Sequence, residues 1–145
     1  MAAGNCVFCE IIQGRAPASI VYADERVIAF MDIHPMNTRH LLVVPKAHAF
    51  HLADLDAHTG SNKFRVGREL AGALRASGVP CQGVNLFFAD GEAAGQRIDH
   101  VHLHVIPRFR GDGFGFCFGP DYDLFPQRDS LDRSATAIRS ALDET

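Results

Sequence analysis

The chain lacks the features that would place it in several broad classes. Its 145 residues contain no apolar run long enough to cross a bilayer. Its N-terminus has no basic region leading into an apolar stretch, so no secretory signal is expected and the cytoplasm is the expected location. Positive charge is not in excess, with 14 Lys and Arg against 17 Asp and Glu and a net charge of −3. Residues 1–108 carry ten acids and ten bases, and residues 109–145 carry seven acids and four bases, so the acidic excess lies in the tail. Nothing resembles a basic stripe able to track a phosphate polymer. Nucleic acid is therefore not an expected partner, and the largest expected ligand is of nucleotide size. The four cysteines are not spaced as a disulfide framework is expected to be. Two of them, Cys6 and Cys9, are spaced Cys-x-x-Cys, which suits a metal or redox role in a reducing compartment. Internal repeats and linkers are also missing.

What is there is the composition of an ordinary globular protein, 47% apolar and 21% charged. One domain of this length buries a normal core without staples. Residues 6–14 read as a short helical turn stopped by Gly14. Residues 19–23 and 27–32 are β-rich runs around Asp24, Glu25 and Arg26, a hairpin signal. Residues 40–45, His-Leu-Leu-Val-Val-Pro, read as a central strand. Residues 54–77 read as the one long helix, capped by Asp54 or Asp56, with an apolar stripe of Leu55, Phe64, Leu70, Ala71 and Leu74. Its glycines suggest close packing, with a partner subunit as one candidate. Residues 84–88 form a further strand, followed by a glycine-bearing loop from Gly91 to Gln96. Residues 110–119 read as irregular, and residues 130–142 as a terminal helix. The sum is an α+β fold with about five antiparallel strands and one long helix. A division is expected into a main domain at 1–120 and a C-terminal extension at 121–145.

The distinctive stretch is His100-Val101-His102-Leu103-His104-Val105-Ile106-Pro107-Arg108. Read as a strand, it turns three imidazoles to one face and Val101, Leu103 and Val105 to the core. The plain alternative, a polar strand face or hydrogen-bonded core rings, is poor for three rings in one alternating run. One metal cannot take all three, because His100 and His104 are about 13 Å apart along an extended strand and Zn–N bonds are about 2.0 Å. A pair such as His100 and His102 could share one. Division of labour is the other reading. The middle ring, His102, serves as nucleophile at phosphorus, and a neighbour handles protons at the leaving group. Imidazole titrates near neutral pH, as that work requires.

These residues resemble the histidine-triad (HIT) pattern, His-φ-His-φ-His-φ-φ with φ apolar. The resemblance extends over about residues 5–115 and runs in family order. It takes in Cys6, Phe8, Cys9, Ile11, Ile12 and Gly14, then Val21-Tyr22-x-Asp24-Glu25, Ala29-Phe30-x-Asp32-Ile33, the run from His40 to Lys46, and Gly91 through Gln96. It implies a homodimer and a hydrolase or nucleotidyl transferase acting on nucleoside 5′-monophosphate esters or amidates, of the phosphoramidase or dinucleoside polyphosphate hydrolase type, with a purine, AMP-like ligand. His102 would be the nucleophile and His104 its partner at the phosphate. Asp32 would bind the ribose hydroxyls, and Phe8, Phe30 and Ile33 would line the base pocket. For Phe30 and Ile33 the plain alternative is core packing, and for Asp32 a turn or helix cap. Asn85 matches a frequent asparagine of the family, and Gln96 could bond a phosphate or leaving-group oxygen. The resemblance to the family's bacterial zinc-containing branch implies a structural Zn2+ held by Cys6, Cys9, His48 and His100, with His51 a competitor for one position. Two departures stand out. Ala89 replaces a common amide side chain, and Arg97 replaces a common Ser or Thr. They motivate a second reading, a zinc-stabilised nucleotide-binding regulator with little turnover. A third is a zinc-dependent hydrolase with His100 and His102 as ligands.

Overall fold

The computed structural model describes residues 6–145. Strands β1 (Ile20–Ala23), β2 (Val27–Met31), β3 (Leu41–Pro45), β4 (Gly83–Phe88) and β5 (Leu103–Arg108) form one sheet in the order β1-β2-β3-β5-β4. Every neighbouring pair is antiparallel. The α+β fold expected from the sequence is therefore the one found, with β3 at the centre. The β1–β2 hairpin is closed by Asp24, whose Oδ1 accepts the backbone N–H groups of Arg26 and Val27 at 2.8 and 2.9 Å.

Strand geometry sends alternate side chains to opposite faces. Val27, Ala29, Leu41, Val43, Leu103 and Val105 pack on one face with Val66, Leu70 and Leu74 of helix α2 (Ala57–Ala76). Ile28, Phe30, Leu42 and Val44 pack on the other with Phe8 of helix α1 (Val7–Ile12). Cover on both faces explains why β2 and β3 are apolar nearly throughout rather than alternating. Gly14 follows α1 at φ +74°, the left-handed stop that its position suggested.

Two expectations about helices and strands need correction. The long helix starts at Ala57, not at 54, because residues Leu52–Asp54 form a separate 3-10 turn and Leu55 is extended. Asp56 is the cap, its side chain accepting the Thr59 N–H at 2.9 Å. The buried stripe is Thr59, Lys63, Val66, Gly67, Leu70 and Leu74, whereas Phe64 lies on the outer face, 58% exposed. The reason is phase: a helix built on Val66, Leu70 and Leu74 puts position 64 on the opposite side. Secondly, the strand expected from His100 begins only at Leu103. Before that point the backbone bonds elsewhere, with His100 N–H to Ile98 O at 2.7 Å and Val101 N–H to Ala49 O at 2.8 Å. The β3–β5 ladder runs from Leu41 to Val43 and goes no further toward Pro45, which has no N–H to offer.

The chain divides into two compact units, the residues up to Asp112 and Gly113–Thr145, earlier than the boundary expected after 120. The second unit carries α3 (Arg128–Leu142), a Phe118–Tyr122 stack at 4.0 Å, and no buried residue on the helix. Among the described residues no helix is long and apolar enough to cross a membrane. Asp56→Ala should lower stability by about 1 kcal/mol, the usual loss for an N-cap, measured as the shift of the urea midpoint at unchanged slope.

Candidate functional site

The irregular segment ahead of β5 places the histidines in three different settings. His100 is fully buried. Its Nε2–H donates to Pro45 O at 2.8 Å, so its Nδ1 carries the lone pair. That Nδ1 lies 3.3 Å from Cys6 Sγ, 3.6 Å from Cys9 Sγ and 3.2 Å from His48 Nδ1, and Cys9 Sγ lies 3.3 Å from His48 Nδ1. A tetrahedral zinc with bonds of about 2.3 Å to sulfur and 2.0–2.1 Å to nitrogen sets its donors about 3.3–3.8 Å apart. Those four separations, 3.2–3.6 Å, lie close to that spacing, all four donors are within 4.8 Å of one another, and the Pro45 carbonyl supplies the outer partner that a ligating histidine requires. Burial pushes the Cys9 thiol up to about 11, with Cys6 adding to the effect. Cys6, Cys9, His48 and His100 thus come together as expected. His51 stands apart, 3.3 Å from Asp90 Oδ1 and exposed. His102 contributes no atom to the group, which removes the support for a zinc shared by His100 and His102.

His102 donates its Nδ1–H to the His100 carbonyl at 2.7 Å, which leaves Nε2 bare. Phe8 packs edge-on against it at 5.2 Å. Burial holds the ring's pKa below its usual value, so the ring is neutral at pH 7. The His104 ring is 4.8 Å from that of His102 and stacks on Phe87 of β4 at 4.3 Å and 13°. Burial first, then the rings of His102 and His40, push the pKa of His104 down to about 3.

His40, read from the sequence only as the start of a strand, belongs to the site. It is buried, and Met36 N–H donates to its Nδ1 at 3.1 Å. The remaining proton is therefore on Nε2, which donates to His104 Nδ1 at 2.9 Å. His104 in turn carries its proton on Nε2. The two catalytic candidates are thus set in opposite tautomers, His102 with a bare Nε2 and His104 with an Nε2–H. Arg39, just before His40, holds φ +70° and donates to the Ser77 carbonyl at the end of α2. A non-glycine residue held in that region marks a turn fixed from outside. A histidine ahead of a run of four apolar residues was the available signal for His40.

Asp32, His40 and His104 also lie close enough together to suggest a metal. The outer partners argue against one. A ligating Nε2 requires an acceptor at Nδ1, and His40 Nδ1 meets the Met36 N–H instead. The group is a hydrogen-bond relay. Asp32 Oδ1 accepts His34 N–H at 2.8 Å, the turn anticipated as its plain alternative, while Oδ2 lies 3.6 Å from His40 Nε2.

The other expected contacts divide. Phe8 and Phe30 are core residues in an edge-on pair at 5.4 Å, and Ile33 is 86% exposed. Gln96 Oε1 accepts Gly91 N–H at 2.6 Å, and its Nε2 donates to Phe50 O and Ile98 O at 3.0 and 3.1 Å. Its amide closes the loop instead of standing free. Gly91 and Gly95 take φ +94° and +88° in that loop. Asn85 Oδ1 accepts from Arg108 Nη1 at 2.6 Å. Arg108 also grips Asp112 through Nε and Nη2, and Asn37 donates to Asp112 and to Pro107 O, which ties the 32–40 loop to β4 and β5. Ala89 is buried, and Arg97 is exposed.

Comparison with known proteins agrees with this geometry. The model of the HIT domain family matches residues 13–111. A HIT family protein from Bacillus anthracis superposes with a TM-score of 0.87 at 37% identity, over 97% of this chain and 99% of that one. A Zn-bound histidine triad family protein from Mycobacterium smegmatis superposes with a TM-score of 0.75 at 38% identity, over 99% of each chain. A histidine triad nucleotide-binding protein from Candida albicans gives a TM-score of 0.85 at 27% identity, over 97% of this chain and 99% of that one. After dialysis against zinc, the protein should hold about one equivalent per chain. Cys9→Ser and His48→Ala should lose it while His51→Ala keeps it, as read by metal analysis.

Proposed function

We propose that this chain, which belongs to the HIT domain family, is a hydrolase or nucleotidyl transferase that cleaves nucleoside 5′-monophosphate esters or amidates through a nucleotidyl-histidine intermediate. The observation that carries this reading is the opposed pair of tautomers. A bare His102 Nε2 is a nucleophile, and the adjacent His104 Nε2–H is a donor for a phosphate or leaving-group oxygen. His102 Nε2 attacks the α-phosphorus, and the bond to the leaving group breaks with its electron pair. The leaving group takes a proton through His104 or a bound water. Water then adds to phosphorus, loses its proton, and the P–Nε2 bond breaks to free the nucleotide and restore His102. The positive charge that His102 acquires on attack is met by the His100 carbonyl at its Nδ1–H.

His40 is the positioning residue, because it fixes which nitrogen of His104 bears the proton. Gln96 acts by shape, holding the Gly91–Gly95 loop so that its backbone N–H groups are available to phosphate oxygens. Asp32 is proposed for the ribose hydroxyls, with its turn already formed, and Asn85 for bracing β4 beside the phosphate. The base, taken as a purine, would rest on Ile33 over the floor made by Phe8 and Phe30. Cys6, Cys9, His48 and His100 would hold a structural Zn2+. With four protein donors it would have no open position for water, and its contribution would be to hold the backbone that presents His102. The protein is proposed to act as a cytoplasmic homodimer. The outer face of α2 supports this, since Phe64 is exposed and added Cβ atoms at Gly60 and Gly72 would meet open space.

The binding-only reading keeps one specific support. Ala89 brings no amide to the loop, and the exposed Arg97 brings no hydroxyl. AMP binding by calorimetry without AMP release from any substrate would favour it. The test of the leading reading is AMP release from an adenosine phosphoramidate and from a diadenosine polyphosphate. His102→Ala should abolish turnover, and wild-type rates in that variant would refute the mechanism. His40→Ala should lower kcat by at least about tenfold with KM nearly unchanged, the signature of lost positioning rather than lost binding.

A further inference from the structure

Lys63 is the unexplained charge in the molecule. It has no accessible surface, and among the described residues its Nζ is the one buried side-chain nitrogen or oxygen without a hydrogen-bond partner. Its contact is the face of Phe88, 4.5 Å from the ring centroid. Phe88 ends β4 and pairs with Leu103, the first residue of β5. The ammonium therefore lies beside the junction where the glycine loop leaves the sheet and the triad segment enters it.

No built-in anion answers this charge. The strands under α2 present Val27, Ala29, Leu41, Val43, Leu103 and Val105, all apolar. Asp90, two residues past Phe88, is engaged by Leu52 N–H and the His51 ring. The ionisable groups whose charge acts together with that of Lys63 are the imidazoles of His100 and His102, both disfavoured as cations by it. A zinc held by two thiolates and two neutral imidazoles is neutral overall and supplies no counter-ion. Burial alone brings the amine down to about 7. An unpaired ammonium in such a place is strongly unfavourable for folding. Its helix would be better served by an apolar side chain.

We propose that Lys63 is the buried counter-charge for a phosphate dianion bound at His102 and His104, acting through space from behind the sheet. This rests on the nucleotide reading above and adds to it a residue outside the family motif. Arrival of the phosphate makes the charged form of Lys63 more favourable, so nucleotide binding draws a proton onto the amine. Below pH 7 the amine is already charged, and the linked proton uptake is confined to the pH range just above.

The experiment is calorimetry of native protein and Lys63→Met with AMP and with adenosine, at pH 8 in buffers of different ionisation heat. Native protein should take up a fraction of a proton with AMP and none with adenosine. Lys63→Met should melt at a higher temperature, bind AMP about tenfold more weakly, bind adenosine unchanged and lose the proton uptake. Lys63→Gln serves as a second variant and should weaken AMP binding likewise. Equal AMP affinity and equal proton uptake in native and Met variants would overturn the role of Lys63 alone. Failure of native protein to bind AMP at all would overturn the nucleotide reading, and this proposal with it.

Discussion

The hydrogen bond from the His102 ring to the His100 carbonyl is the point on which the site depends. At 2.7 Å it fixes the tautomer of His102 and aims its free nitrogen. The acceptor belongs to a residue that the sheet does not hold, since the ladder begins only at Leu103. His100 is held by its ring instead, through Pro45 O on one nitrogen and the cysteine and His48 donors on the other. Metal-type donors, backbone carbonyl and the proposed nucleophile thus form one mechanical line. A strand running through His100 would have pointed all three rings alike. The departure from strand geometry is what gives them different partners.

Much of this was legible in the sequence. Two β-rich runs around Asp24, Glu25 and Arg26 marked β1 and β2, and the continuous apolar run marked β3 as central. The Cys-x-x-Cys spacing, with the family resemblance, led to the same four donors that the fold assembles. What was not legible was phase and partner choice. Phe64 looked like core by type, but the helix follows Val66, Leu70 and Leu74, and an aromatic on the outer face breaks no local rule. The late start of β5 depends on contacts with Pro45 and Ala49, far away in sequence. Gln96 was read for its chemistry, whereas the curvature of a loop with two left-handed glycines claimed its amide first. His40 was missed because a single polar residue ahead of an apolar run carries no periodicity, and Lys63 because one more cation in a helix rich in polar residues marks no face.

The two clusters of metal-type side chains illustrate how proximity alone misleads. Both bring their donor atoms within 4.8 Å of one another. What separates them is the group on the far side of each ring. Pro45 O behind His100 accepts a proton and so frees the opposite nitrogen for a metal. Met36 N–H behind His40 demands a lone pair and so forces a proton onto the nitrogen facing His104. One backbone group, a carbonyl or an amide, decides whether a buried imidazole is a ligand or a donor.

The same reasoning accounts for polar residues inside so apolar a sheet. His40, His100 and His102 are each buried with both ring nitrogens placed or aimed, and burial keeps them neutral, which lowers the cost of burying them. Lys63 differs, because the fold gives its Nζ no hydrogen-bond partner at all. A buried imidazole can be satisfied by the fold alone. A buried amine whose partner is missing from the fold is most simply explained by a partner that comes and goes, and under the proposed function that partner is a phosphate beside His102.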